Sequence, residues 1–243
     1  MFIISRKRIS LILICFLIGI SVYSYQGIKT GAQERAEETI EEATATPVSG
    51  KVVVLDAGHG TPDEGAQSSK GTTEAETNLK IALKVQNLLE QSGCTVILTR
   101  SDEKAIYDLD KTTLKEKKIS DIRNRVKIGN SASADMFVSI HLNKIPQQQY
   151  WGWQCFYSSK SDESMKLAKI LQSSLNDAIQ KDNKRVAMKL DTVYIMKHVE
   201  IPISIVECGF LSNPEEEQQL LDDEYQDKLA WGIYNGIIEY FTK

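Results

Sequence analysis

The chain has 243 residues, of which 42% are hydrophobic and 26% are charged, and its formal net charge is -4 at pH 7. This composition predicts one globular domain of about 200 residues with an extension. The acidic balance argues against a nucleic-acid-binding protein, which would normally carry a basic face. Four cysteines without a CxxC pair predict neither a disulfide framework nor a cysteine-rich zinc knot.

The N-terminal segment is predicted to lie outside the folded domain. The basic run Arg6–Arg8 precedes an almost unbroken apolar stretch over residues 9–22, which is typical of an export signal. Residues 1–24 are therefore expected to be a signal peptide or an uncleaved signal anchor in the membrane, and the two alternatives stay open. Either one places the rest of the chain outside the cytoplasm. Residues 25–50 are rich in glutamate and predict a solvated acidic linker.

Strand-like and helix-like segments alternate along the rest of the chain. The predicted strands cover residues 52–55, 94–99, 135–143, 151–157, 192–196 and 203–206. The predicted helices cover residues 74–91, 119–131, 164–180, 214–221 and 225–241, and residues 104–118 are expected to form a surface excursion. This order predicts an α/β domain over residues 51–243, with a mostly parallel mixed sheet flanked by helices on both faces.

Chemically active side chains follow several of the predicted strands. His59 and His141 come at the ends of two apolar strands, Glu207 follows a third, and Glu74 begins a helix that faces the same edge. Two histidines and a glutamate with one open position make a catalytic zinc set, and a further glutamate can accept a proton. The placement alone leaves the alternative open that the histidines satisfy loop hydrogen bonds and that Glu74 only faces its helix dipole.

Five segments in order carry a family resemblance: GHGTPDEGA, TEAETNL, RVKIGN, SIHLN and ECGFLSN. They closely resemble the zinc-dependent N-acetylmuramoyl-L-alanine amidases of type 3, which cut peptidoglycan, and the similarity runs from Lys51 to the C-terminus. The resemblance implies that His59, Glu74 and His141 hold one zinc ion per chain at the carboxyl edge of the sheet. It also implies that Glu207 is the catalytic glutamate.

The compact domain and its C-terminal ending most resemble the sporulation and germination-specific branch of this family. Members of that branch remove stem peptides from spore-cortex glycan so that muramic-δ-lactam can form. The resemblance therefore implies hydrolysis of the amide between the lactyl group of N-acetylmuramic acid and L-alanine of the stem peptide. In a sporulating cell the site of action would be the intermembrane space around the forespore. A zinc peptidase acting within the stem peptide and an inactive glycan-binding module stay open as alternatives.

Four further residues and one loop are candidates for substrate contact, catalysis or regulation. Arg100, Arg125 and Asn143 are expected to contact substrate, although both arginines could equally hold loop carboxylates. Cys208 adjoins Glu207 and is expected to be a buried core residue rather than a nucleophile. The polar loop 60–73 has little apolar surface to offset its ordering entropy, so metal binding must order it. An exported accessory protein, such as a lipoprotein, is therefore expected to activate the enzyme by docking there.

Overall fold

The computed structural model describes residues 46–131 and 133–243. The predicted signal segment, residues 1–24, and most of the predicted linker lie outside the described residues. Thr46–Lys243 form one compact unit. Among the helices within the described ranges, none is both long enough and apolar enough to cross a membrane.

The described residues form one six-stranded sheet in the order β2-β1-β3-β6-β4-β5. Strands β2, β1, β3 and β6 are mutually parallel, whereas β4 pairs antiparallel with β6 and parallel with β5. The sheet is therefore mostly parallel and mixed, which confirms the predicted class. The strands are β1 Val52–Ala57, β2 Thr95–Leu98, β3 Met136–Asn143, β4 Gln154–Tyr157, β5 Met188–Lys189 and β6 Ile203–Phe210.

Helices cover both faces of this sheet, as predicted. The helices of the described chain are α1 Glu74–Gln91, α2 Leu114–Ser131, α3 Asp162–Ile179, α4 Tyr194–His198, α5 Pro214–Leu221 and α6 Asp223–Thr242. One apolar core contains buried side chains of α1, α3 and α6. A second, smaller core on the other face contains side chains of α2 and α4.

Strand β1 lies between β2 and β3 and is buried on both faces. Successive side chains of a strand point to opposite faces, so Val53 and Leu55 enter the larger core and Val54 enters the smaller one. A strand buried on both faces is largely apolar, which explains the unbroken run over residues 52–55, and the one charged residue of β1, Asp56, is paired with Arg125. The functional loop that follows β1 thus starts from a rigid base.

The predicted strand at residues 192–196 is wrong, because these residues enter helix α4 instead. A short apolar run does not distinguish a strand from a buried helical turn. Ile195 and Met196 reach the smaller core from the helix, so burial is satisfied without strand pairing. The edge strand in this region is β5, whose two residues are exposed and carry no apolar periodicity.

Helix α2 begins at Leu114, so the last five residues of the predicted surface excursion 104–118 are helical. A reciprocal pair of hydrogen bonds starts the helix: the hydroxyl of Thr113 accepts from the backbone N–H of Glu116 at 3.2 Å, and the Glu116 carboxylate accepts from the backbone N–H of Thr113 at 3.0 Å. This capping box stabilises a first turn that contains little apolar surface. Hydrophobic periodicity therefore could not reveal it.

Candidate active site

The first histidine of the site lies just beyond β1. The backbone of His59 is left-handed, with φ at 63°, which is uncommon for a residue with a side chain. Gly58 lies directly against the other histidine, because a Cβ built on it would be 2.2 Å from Nε2 of His141. Only glycine allows this close approach between the end of β1 and the imidazole of β3.

Glu74 is the first residue of α1, and its side chain is held by the backbone. Oε1 accepts a hydrogen bond from the N–H of Leu142 at 3.1 Å, and Oε2 accepts one from the N–H of Ala66 at 2.8 Å. Oε1 also lies 2.9 Å from Nδ1 of His141 and 3.3 Å from Nε2 of His59. One carboxylate oxygen thus faces both imidazoles.

The structure brings the three predicted metal ligands together. One ligand atom from each of His59, Glu74 and His141 lies within 4.8 Å of the other two, which is a group that could hold a metal ion. Burial by itself would raise the pKa of Glu74, but the hydrogen bonds and charges of the two histidines lower it below its usual range. Burial would likewise lower the pKa of His59, but Asp63 and Glu74 raise it to about 9. The shift of Glu74 keeps its carboxylate ionised, and the shift of His59 reflects the two carboxylates beside its ring.

Asp63 is a site residue that the sequence analysis missed. Its Oδ2 lies 3.1 Å from Nδ1 of His59, and its Oδ1 pairs with Nζ of Lys118 at 2.8 Å. A carboxylate on one imidazole nitrogen fixes the orientation of the ring and leaves the other nitrogen for a metal. The available signal was its place in the GHGTPDEGA segment, four residues after His59.

Glu207 lies on β6 directly beside His141 of β3, since the two residues are partners in the parallel register. Its Oε2 is buried and has no hydrogen-bond partner among the described residues. Burial raises the pKa of this carboxyl group to about 7. A buried carboxylate oxygen without a partner is costly, so such an atom usually serves a ligand or a reaction.

His59, His141 and Glu207 are among the residues that line a cleft of about 510 Å³. Its lining also includes apolar side chains, among them Ile119 and Ile122 of α2 and Leu190 and Val193 of the segment before α4. The cleft therefore combines polar reactive groups with apolar surface, as ligand-binding clefts usually do.

The two predicted substrate-binding arginines are almost completely buried, with 4% of Arg100 and 3% of Arg125 exposed. Arg125 pairs with Asp56 at 2.6 Å and Asp121 at 2.7 Å, and within the described part of the chain Arg100 donates only to backbone carbonyls. This placement favours the alternative that they hold the protein's own segments. Asn143 ends β3, where its carbonyl accepts from the backbone N–H of Leu211, and a substrate contact of its side chain stays a prediction.

Cys208 is fully buried in the larger core, and burial raises its pKa well above the ordinary value. Because the thiolate is the nucleophilic form, this environment disfavours a cysteine nucleophile. Cys208→Ala is expected to lower the free energy of unfolding by about 1 kcal/mol through a small cavity and to leave turnover unchanged. Denaturant unfolding and an activity assay measure the two effects. A folded, metal-bound variant without turnover would restore the nucleophile hypothesis.

A parallel α/β sheet with a His-Glu-His group and an unpartnered buried glutamate at its carboxyl edge defines the class of metal-dependent hydrolases. Within that class, the chain belongs to the N-acetylmuramoyl-L-alanine amidase family (Amidase_3), whose match covers residues 53–239. This confirms the family and the hydrolase class that the sequence segments predict.

Known relatives agree in sequence and in fold. The chain is 40% identical over 197 residues to the germination-specific N-acetylmuramoyl-L-alanine amidase of Bacillus subtilis (strain 168), covering 81% of this chain and 82% of the relative. It is 42% identical to the CwlD amidase from Clostridioides difficile, solved in complex with the GerS lipoprotein, with a TM-score of 0.77 over 79% of this chain and 98% of that chain. The catalytic domain of CwlV from Bacillus (Paenibacillus) polymyxa var. colistinus is 32% identical, with a TM-score of 0.67 and coverages of 79% and 98%.

Proposed function

We propose that residues 51–243 are a zinc amidase domain that releases stem peptides from peptidoglycan during maturation of the spore cortex. The bond hydrolysed is the amide between the lactyl group of N-acetylmuramic acid and L-alanine, and the stripped glycan is the precursor of muramic-δ-lactam. The observation that carries the proposal is the His59–Glu74–His141 group beside the unpartnered Oε2 of Glu207, in a chain of the amidase family. Similarity to a germination-specific amidase supports the spore-cortex role.

His59, Glu74 and His141 would hold the zinc ion, one per chain. The donor set fits, because two imidazole nitrogens and a carboxylate oxygen lie within 4.8 Å of one another. Catalytic zinc sites typically have three protein ligands of these types. The chemistry that a zinc ion would supply there is that of a Lewis acid, which lowers the pKa of a water molecule and polarises a carbonyl group. Asp63 keeps the ring of His59 oriented, and backbone N–H groups keep the carboxylate of Glu74 oriented.

Glu207 moves the proton in this mechanism. Its ionised Oε2 accepts a proton from the attacking water, the water oxygen bonds to the lactyl carbonyl carbon, and the bond from that carbon to nitrogen breaks. Glu207 then returns the proton to the nitrogen of L-alanine, which leaves as the free amino terminus of the stem peptide. Burial raises the pKa of this carboxyl group to about 7 in the metal-free protein, and the positive charge of a bound zinc ion would lower it and so favour the ionised form that accepts the proton.

Digestion of intact and spore-type peptidoglycan with the zinc-loaded protein, followed by mass spectrometry, tests the proposal. The expected products are muramic acid with a free lactyl carboxylate and peptides that begin with L-alanine. Stem peptides shortened at the far end but still attached to glycan would indicate a peptidase instead. Unchanged fragments, identical to those left by a His141→Ala control, would indicate an inactive glycan-binding module.

We also propose that the enzyme acts outside the cytoplasm, secreted or anchored by residues 1–24, together with an exported lipoprotein. The solved complex of the CwlD amidase with the GerS lipoprotein supports a partner of this kind. The loop 60–73 offers an accessible surface, because only Gly60 and Ser68 within it are buried. A partner that orders this loop would raise the affinity for zinc by linkage.

Zinc titration by calorimetry checks this activation. The protein alone is expected to bind zinc weakly and to turn over spore-type peptidoglycan slowly, and addition of the lipoprotein partner is expected to strengthen both. The reason is that ordering of the polar loop opposes metal binding when no partner is present. Tight zinc binding together with full activity of the protein alone would refute the proposal that an activator is needed.

A further inference from the structure

Two buried guanidinium groups hold three successive carbonyl groups of the segment that carries His59. Nε of Arg100 donates to the carbonyl of Ala57 at 2.8 Å, and its Nη2 donates to the carbonyl of Gly58 at 3.0 Å. Nη1 of Arg125 donates to the carbonyl of Ala57 at 2.7 Å, and its Nη2 donates to the carbonyl of His59. We name these five residues the carbonyl clamp.

Both arginines of the carbonyl clamp are themselves fixed. Arg125 is anchored by the carboxylates of Asp56 and Asp121. Arg100 reaches across to the carbonyl of Ala75 at 2.7 Å, which ties the clamp to the first turn of α1 beside Glu74. Burial and the nearby charge of Arg125 lower the pKa of Arg100 to about 10, so it remains charged at neutral pH.

The backbone that the two arginines of the carbonyl clamp contact is strained at His59. A left-handed conformation is sterically unfavourable at a residue with a side chain and persists only where the surroundings enforce it. Here the φ of 63° at His59 directs its carbonyl toward Arg125. An ordinary φ at His59 would move this carbonyl and leave a buried donor of Arg125 without its acceptor, which is costly.

We propose that Arg100 and Arg125 are positioning residues, which hold the backbone of His59 in its left-handed conformation and so set the affinity for the metal. The inference rests on the proposed function, because His59 is a zinc ligand only under that proposal. The two arginines of the carbonyl clamp contact backbone carbonyls and leave the side-chain donor atoms of the three ligands free. Its effect is therefore expected in metal affinity first and in turnover only through metal occupancy.

Arg125→Lys tests the clamp. A lysine keeps the positive charge beside Asp56 and Asp121, but one ammonium group lacks the planar fork that bonds two carbonyls and two carboxylates at once. We expect zinc affinity, measured by competition with a chromophoric chelator, to fall by about 10- to 100-fold, the range typical of residues that orient metal ligands. At saturating zinc, turnover should recover most of the wild-type rate.

Two neighbours on α2 supply matched controls. Arg123→Lys makes the same chemical change at an exposed position and should leave zinc affinity unchanged. Val126→Ala removes apolar contacts from the smaller core, so it should lower the free energy of unfolding without altering zinc affinity. If Val126→Ala weakens zinc binding as much as Arg125→Lys does, the effect is one of stability and the proposal is overturned.

Arg100→Lys is the second variant, should Arg125→Lys fail to fold. Arg100 forms no ion pair among the described residues, so its replacement leaves no buried carboxylate without a partner. We therefore expect a smaller loss of zinc affinity than for Arg125→Lys. If either Arg125→Lys or Arg100→Lys folds and binds zinc with wild-type affinity, the proposed positioning role is overturned. Wild-type protein that binds no zinc, or His59→Ala that binds it as tightly, would instead refute the proposed ligand set.

Discussion

His59→Ala and His141→Ala are each expected to abolish zinc binding and activity together. The three proposed donor atoms lie within 4.8 Å of one another, and a catalytic zinc site needs three protein ligands and one open position. Removal of either imidazole leaves only two. At a saturating concentration of free zinc, calorimetric titration should give a stoichiometry of about one zinc per chain for the wild type and almost none for either variant. Peptidoglycan hydrolysis should fall to the background rate.

His198 provides the matched control, because it is the third histidine of the chain and lies outside the site. It is exposed and stacks on the ring of Tyr194 with centroids 3.8 Å apart. His198→Ala should therefore keep both the zinc stoichiometry and the rate of the wild type. Full zinc and full rate in either His59→Ala or His141→Ala would show that the ligand assignment is wrong.

The fold and the location of the site follow from patterns that the sequence displays directly. Strands buried on both faces are continuous apolar runs, and a polar residue at the end of such a run marks the carboxyl edge of a parallel sheet. His59 and His141 stand out for this reason, and the structure places them with ring centroids 5.0 Å apart. Glu207 lies within β6 rather than after it, but the register still sets it beside His141.

The residues that hold the ligands in place are harder to predict from the sequence. Arg100 donates to backbone carbonyls, and Arg125 donates to two backbone carbonyls as well as to the carboxylates of Asp56 and Asp121. A carbonyl acceptor has no residue type that a sequence pattern could reveal. Asp63 reaches His59 across a loop whose conformation depends on glycines and on Lys118 of another element. Helix α4 was not predicted, because burial in the smaller core rather than local periodicity decides its conformation.

Glu207→Gln is expected to separate the base from the ligands. Glutamine has nearly the same shape as glutamate but accepts protons poorly, so the variant should retain zinc and lose on the order of 10²-fold or more in rate. The folded variant should also be at least as stable as the metal-free wild type at neutral pH. The reason is that the pKa of Glu207 rises from 4.5 to about 7 on folding, so the wild type loses stability as the pH rises between these values.

The pH profile adds a further test of the same variant. In the wild type only the ionised form of Glu207 accepts a proton, so the rate should fall as the pH drops through the pKa of this group. Burial places that pKa at about 7, and a bound dication would lower it. The residual rate of Glu207→Gln should lack this acidic decline, while its zinc content, measured in parallel, stays at the wild-type value. Loss of zinc together with the rate would make Glu207 a ligand and return Glu74 to a structural role at the start of α1.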